Sequence, residues 1–279
     1  MPELPEVETV CRGLDAHLSG RVLTRLVQRR PDLRRPMPAH FAQRVTGRRF
    51  ERIDRRAKYI LMHFDDRQVL LCHLGMSGRM LLGKGEPVLD THDHVVFYTD
   101  DGTVLRFNDA RRFGVMDLTT EDKLGEHELL AGLGPEPLGP DFTGKSLAAS
   151  LKGKRTPIKA ALLDQRVVAG IGNIYASEAL FRAGISPKRL AKSVQGERAN
   201  KLAHMVRVVL NEAIAAGGSS LRDYVQTDGE LGYFQKRWRV YDREGLRCRG
   251  CTCDPAVTGG IRRIVQSGRA SFYCPRKQK

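Results

Sequence analysis

The 279-residue chain has no stretch near the roughly 20 consecutive apolar residues that a membrane-crossing helix requires, which sets the membrane class aside. Its N-terminus, MPELPEVETV, lacks the apolar core of an export signal and is acidic instead. Internal repeats and low-complexity tracts are missing as well. Cysteine is scarce, six residues in all, and with no export signal this argues against a disulfide scaffold. Acidic side chains are also in short supply, 32 Asp and Glu against 47 Lys and Arg, for a formal charge of +15. Such an excess raises self-repulsion in a folded chain, so a polyanionic partner is the natural counterpart. A solvated arginine-rich surface is the plainer reading. The excess is uneven, however: residues 21–60 hold 13 basic and 3 acidic side chains, and residues 248–279 hold 7 and 1. Phosphate binding that weakens with salt is the expectation.

The patterns that are present fall into an order. Val7, Val10, Leu14 and Leu18 recur at spacings of three and four before Gly20, which predicts an amphipathic helix with a glycine stop. From about residue 21 to 115 the period shortens. The runs 59–64, 69–74, 94–99 and 103–107 read as strands separated by turn residues, and closely spaced strands without helices between them suggest an antiparallel sandwich or barrel. The Gly- and Pro-rich segment 132–146 looks like a domain boundary. Helical patterns follow at 156–166, at 174–183 up to Gly184, and along Leu202, Met205, Val206, Val209, Leu210 and Ile214. The tail from about 238 reverts to short strands around the cysteines. Cys11 and Cys72 sit inside apolar patterns as small buried hydrophobes. Cys248, Cys251, Cys253 and Cys274 crowd into the last 32 residues, a metal-site distribution.

One terminal feature carries chemistry. Methionine before a small residue is usually removed, which would leave Pro2 with a free secondary amine. An α-amino group titrates near pH 7.7–8, so much of it is an unprotonated nucleophile at neutral pH. Attack on an aldehyde-like carbon gives an iminium, an electron sink for elimination. Glu3 stands beside it as a general acid or base. Physics alone favours the plainer reading, in which Pro and early acids simply open a helix.

The motifs overturn that balance. MPELPEVETV, RRAKYI, HLGMSGR, HDHVVF, DARRFG, LGPEPL, GIGNIYASEALFRAGI, DGELGYF and GRASFYC run in order from residue 1 to 274. In this the chain resembles the formamidopyrimidine-DNA glycosylases, and the Leu-Pro after Pro-Glu is similar to their oxidised-purine branch. The resemblance implies an α+β protein: an N-terminal helix with an antiparallel β-sandwich (1–134), a linker (135–150), a helix–two-turn–helix domain (151–237) and a zinc-ribbon-like β-hairpin (238–279). It implies a bacterial, cytoplasmic, monomeric enzyme acting on double-stranded DNA that carries oxidised purines or abasic sites. The alternative is a DNA-damage binder that keeps the fold without catalysis; Pro2, Glu3 and Lys58 together are what binding alone would not require.

Roles carried over from the family give Pro2 the attack on the sugar C1′ and Glu3 the protonation of the sugar O4′. Lys58 takes the proton-donor role in β-elimination, although a lone lysine in a strand is ordinarily a solvated charge. Arg269 serves δ-elimination and phosphate binding, as a fixed positive charge. Met76, Arg111 and Phe113 match the residues that fill the stack when a nucleotide is extruded. Their glycine-flanked loop positions argue for exposure. His92, Arg111, Lys154 and Asn173 match DNA contacts, and Asn173 also fits a helix N-cap. The zinc pattern is where the chain departs. Cys248 and Cys251 form a first knuckle and Cys274 opens the second, but Lys277 occupies the fourth position, and a protonated lysine cannot ligate zinc. Either Cys253 completes a four-thiolate zinc site or the site is weakened; both readings stay open at the level of sequence.

Overall fold

The computed structural model describes residues 1–219, 232–252 and 254–279. The chain forms two compact units, one of Met1–Ala131 with Ile214–Tyr233, the other of Gly132–Ala213 with Phe234–Lys279. The segment 220–231, which holds most of the DGELGYF motif, and Cys253 lie outside the described residues.

In the first unit, helix α1 (Leu4–Leu18) buries the predicted stripe of Val7, Val10, Leu14 and Leu18. Pro5 sits in its first turn, where the missing N–H costs nothing. Glu3 and Glu6 close a capping box over that turn, with the Glu3 N–H donating to Glu6 Oε2 at 2.9 Å. The helix is fastened to strand β2 (Phe50–Arg56): Ile53 N–H donates to Asp15 Oδ1 at 2.7 Å, and Arg55 Nε to Glu8 Oε2 at 2.9 Å.

The remaining strands of this unit are β1 (Leu23–Gln28), β3 (Tyr59–Phe64), β4 (Gln68–His73), β5 (Arg79–Lys84), β6 (Asp93–Thr99), β7 (Thr103–Asn108) and β8 (Val115–Thr120), with a short helix α2 (Phe41–Val45). They build two antiparallel four-stranded sheets, ordered β1-β6-β7-β5 and β2-β3-β4-β8. Phe50, Phe64, Phe97, Phe107 and Leu105 lie fully buried in one shared core with α1. Aromatic and β-branched side chains fit such a half-buried pleated surface, which is why these runs form strands. The sequence marked β3, β4, β6 and β7. It did not mark β1, β2, β5 and β8, whose arginines and polar residues interrupt the alternation.

The second unit is mainly helical, with α3 (Gly144–Leu151), α4 (Ile158–Leu163), α5 (Asn173–Ala183) and α6 (Glu197–Ala215). Helix α3 therefore begins inside the segment expected to be a linker; Thr143 caps it, its hydroxyl accepting from Ser146 N–H at 3.1 Å. Helix α5 is buried almost all round and ends at Gly184, whose φ of 76° is the left-handed geometry of a helix stop. Within α5, Glu178 is fully buried, and its carboxylate accepts the backbone N–H groups of Arg239, Val240 and Tyr241 at 2.9–3.0 Å. A short helix α7 (Pro255–Thr258) precedes the antiparallel hairpin β9 (Arg262–Gln266) and β10 (Arg269–Tyr273). Ser267 and Gly268, both at positive φ, make its two-residue turn.

Candidate active site and metal-ligating cluster

At the foot of α1, Pro2 is buried and Glu3 is 3% exposed. A carboxylate so placed keeps its position only through hydrogen bonds, and the capping box supplies them. The neighbouring Glu6 is tied down twice, since its Oε1 also accepts the Ser219 N–H at 2.8 Å.

Lys58 does not stand within a strand as its run suggested. It occupies the two-residue turn between β2 and β3, next to Ala57 at a φ of 55°, and is only 6% exposed. Its charge reaches the end of β4: burial first, then the Lys58 ammonium and Arg34, hold His73 down to a pKa of about 4. His73 is thus a neutral acceptor near pH 7, taking the Gly75 N–H on Nδ1 at 2.9 Å.

Met76 lies in the β4–β5 loop, and Arg111 and Phe113 in the β7–β8 loop. Met76 is 38% and Phe113 43% exposed, large apolar side chains left in solvent, while the Arg111 guanidinium sits 4.8 Å from the Phe113 ring centroid. The two loops touch through backbone. Gly75 has a φ of 62°, and a Cβ there would fall 2.4 Å from the Phe113 carbonyl carbon, so only glycine fits. Asp109, fully buried, joins them: Oδ1 accepts the Ser77 hydroxyl at 2.6 Å and Oδ2 the Gly114 N–H at 2.8 Å, while Ser77 Oγ accepts the Arg111 N–H at 3.1 Å. The Asp109 backbone N–H donates to the His92 carbonyl at 3.0 Å, and the His94 ring bonds the Asp109 carbonyl at 2.9 Å. His92 itself is exposed. Asp109 therefore gathers the loops of Met76, Arg111, Phe113 and His92; it opens the DARRFG motif, but the motif does not state that role.

In the second unit, Lys154 is half-buried in the loop before α4, its carbonyl accepting the Lys192 N–H at 2.9 Å. Asn173 is the first residue of α5 rather than its cap. Gly172 holds the cap position with extended backbone, which frees the Asn173 side chain. Its Nδ2 lies 3.5 Å from the Tyr241 hydroxyl, and its buried Oδ1 has no hydrogen-bond partner among the described residues. Arg269 opens β10 and is exposed. Immediately after it, the buried Lys159 ammonium donates to the Ala270 carbonyl at 2.6 Å and to Ser271 Oγ at 2.8 Å. Lys159 was missed at the level of sequence, because a lysine in a short amphipathic helix reads as solvated.

The thiols of Cys248, Cys251 and Cys274 lie within 4.8 Å of one another, with Cys251 and Cys274 Sγ atoms 3.6 Å apart. Tetrahedral zinc thiolates at about 2.3 Å would set sulfurs about 3.8 Å apart, so this spacing fits a metal ion. Lys277 contributes no ligand atom. Its ammonium stands 4.4 Å over the ring of the buried Phe181, and a Cβ on Gly250 would come within 2.4 Å of its Nζ. The lysine side chain thus lies across the Cys248–Cys251 knuckle.

Two family models match the chain: the formamidopyrimidine-DNA glycosylase N-terminal domain over residues 1–116 and the H2TH domain of the same proteins over 133–225. A formamidopyrimidine-DNA glycosylase of Rhodospirillum centenum is 59% identical, covering 100% of both chains, and one of Paracoccus denitrificans is 58% identical over 99% of each. Among solved structures, the MutM (Fpg) protein of Thermus thermophilus superposes with a TM-score of 0.86 at 41% identity, over 99% of this chain and 98% of that one. A Lactococcus lactis Fpg mutant in complex with Fapy-dG-containing DNA gives a TM-score of 0.90 at 32% identity, over the whole of both chains.

Proposed function

The chain belongs to the formamidopyrimidine-DNA glycosylase family, and on that premise we propose that it excises oxidised purines, 8-oxoguanine and formamidopyrimidines, from duplex DNA in base excision repair and then cleaves the strand. The observation that carries this reading over a binding protein of the same fold is the burial of two ionisable groups, Glu3 at 3% and Lys58 at 6% exposure. Desolvated charges are costly, and binding of DNA alone has no use for them at these positions.

In this reading the amine of Pro2, once Met1 is removed, attacks C1′ of the extruded nucleotide. The C1′–base bond breaks and the base leaves with a proton. Glu3 protonates O4′ as the sugar ring opens, leaving an iminium between Pro2 and C1′. Loss of a C2′ proton then expels the 3′-phosphate, with Lys58 as proton donor in this β-elimination, and a second elimination expels the 5′-phosphate beside Arg269. That arginine acts as a fixed positive charge. Met76 and Phe113 would take the place of the extruded nucleotide in the stack, and Arg111 would hydrogen-bond the orphaned base. His92, Lys154 and Asn173 would contact the DNA backbone. Asn173 directs its Nδ2 to the Tyr241 hydroxyl, and its Oδ1 has no hydrogen-bond partner among the described residues, at a helix start whose backbone amides suit a phosphate.

The cysteine cluster can hold a metal ion. We assign it as structural zinc on Cys248, Cys251 and Cys274, with Cys253 as the fourth thiolate. When bound, the ion supplies a cross-link for the hairpin and no chemistry at the lesion. The boundaries 1–134, 135–150, 151–237 and 238–279 remain our functional division of the chain, and a monomer in the bacterial cytoplasm, associated with the nucleoid, our setting for it. Among the described residues no helix is long and apolar enough to cross a membrane.

The test is borohydride trapping on a duplex carrying one 8-oxoguanine opposite cytosine. A covalent adduct mapping to residue 2, absent in Pro2→Gly, supports the reading. Tight lesion binding without an adduct would establish the non-catalytic alternative instead.

A further inference from the structure

A cavity of about 400 Å³ in the second unit is lined by Arg182, Glu212, Lys236, Arg237, Arg239 and Arg249, five cations and one carboxylate. The carboxylate is already engaged: Glu212 Oε2 accepts from the Arg182 guanidinium at 2.8 Å. Arg182 is itself inside the protein, its side chain 5% exposed, and its buried Nε–H has no acceptor among the described residues. A desolvated guanidinium with one half-exposed partner, ringed by four more positive charges, is under-compensated. A generic basic surface would keep its arginines extended into water, whereas here one of them forms the floor of a cavity.

The placement of the rim is built, too. Glu178, one turn before Arg182 on α5, binds the backbone N–H of Arg239 through both carboxylate oxygens. Arg249 is held by a bond from its guanidinium to the Lys236 carbonyl at 3.4 Å. Arg182 follows Asn173 by nine residues on the same helix, so the Arg182 end of the cavity lies roughly 14 Å along the axis from the α5 N-terminus. It is therefore separate from the helix start assigned above to the lesion strand.

We propose that this cavity is a second anion site, which binds a multiply charged phosphate-class ligand through Arg182, Arg237, Arg239 and Arg249. Guanidinium groups offer paired N–H donors that match phosphate oxygens bidentately, and four of the five cations are arginine. Four guanidinium groups converging on one depression offer more donors than a single phosphate can use, which favours two or three linked phosphates. Such a ligand comes either as a free oligophosphate or as the backbone of the bound DNA beyond the lesion. The inference stands on the second unit alone and does not depend on catalysis by Pro2.

The experiment uses the full chain and tripolyphosphate, titrated calorimetrically at constant ionic strength. The double variant Arg237→Gln/Arg239→Gln is compared with Lys145→Gln, a change at an exposed lysine on α3 away from the cavity. Thermal unfolding of each variant shows that it is folded. Wild type and Lys145→Gln are expected to bind alike, and the double variant at least about tenfold more weakly. Equal affinities in all three, or no binding by wild type, would overturn the site. Lesion duplexes of two lengths then separate the sources. A loss of affinity and a salt slope shallower by about 1 to 2 on the longer duplex only identifies the DNA backbone as the ligand. Unchanged DNA binding with lost tripolyphosphate binding identifies a free anion.

Discussion

The carboxylate of Asp109 accepts the Ser77 hydroxyl at 2.6 Å across 32 residues of sequence, and so fixes the loop of Met76 against the loop of Arg111 and Phe113. Three side chains proposed to invade a base stack thereby share one support. Asp109→Asn keeps the volume but turns one acceptor into a donor facing Ser77 or Gly114. We expect kcat/KM on an 8-oxoguanine duplex to fall about tenfold or more, equivalent to a charged hydrogen bond of about 1.5–3 kcal/mol. Cleavage of a duplex with a preformed abasic site should fall less. Equal losses on both substrates would mean that Asp109 serves the fold and not the loops.

Gly75→Ala addresses the same junction from the backbone. The new Cβ would meet the Phe113 carbonyl carbon at 2.4 Å and would sit at a φ of 62°. Strain of this kind costs on the order of 1–3 kcal/mol. The variant should unfold several degrees below wild type by circular dichroism, and a melting temperature unchanged within a degree would refute the close approach.

His73 makes a pH prediction. Its pKa is about 4 in the folded chain against 6.5 unfolded, because burial and the Lys58 charge disfavour the imidazolium. Between those values the unfolded chain binds more protons, so stability is complete above pH 6.5 and is lost as the pH falls toward 4. The contribution is roughly 3 kcal/mol at most. His73→Asn preserves an acceptor for the Gly75 N–H but cannot titrate. The difference in unfolding free energy between wild type and variant should shrink in favour of the variant across that window. A pH-independent difference would show that His73 is not held neutral.

Zinc retention tests the ligand assignment. Cys253→Ser should lower the zinc content per chain after dialysis against a chelator, and Lys277→Cys in that background should restore it. If Cys253→Ser keeps its metal as firmly as wild type, Cys253 is not the fourth ligand.

Much of this fold follows from pattern. The three- and four-residue spacing of Val7, Val10, Leu14 and Leu18 marks α1, and the apolar runs around Ile60 and Val96 mark strands, because burial of one face dictates periodicity. The family motifs point to Glu3, Lys58 and the late cysteines; the structure buries the first two and brings the thiols of Cys248, Cys251 and Cys274 together. What sequence could not convey is distance through space. Asp109 acts on residues 77, 92, 94 and 114, and although it opens the DARRFG motif, its sequence neighbours do not reveal those distant partners. Lys159 resembles any solvated lysine until β10 is folded against it. Asn173 fits a cap by type, yet the extended backbone of Gly172 takes that place and shifts the asparagine into the first turn.

The three amides that Glu178 gathers belong to residues 239–241, which form neither helix nor strand. In a hydrogen–deuterium exchange experiment an irregular stretch is normally the first to label. Here the amide protons are held by a buried carboxylate in the middle of α5, so their exchange is expected to wait on the release of that contact. The chain leading into the cysteine hairpin is expected to label together with the helix that begins at Asn173, so an isotope-labelling map would draw a boundary where no secondary-structure boundary exists.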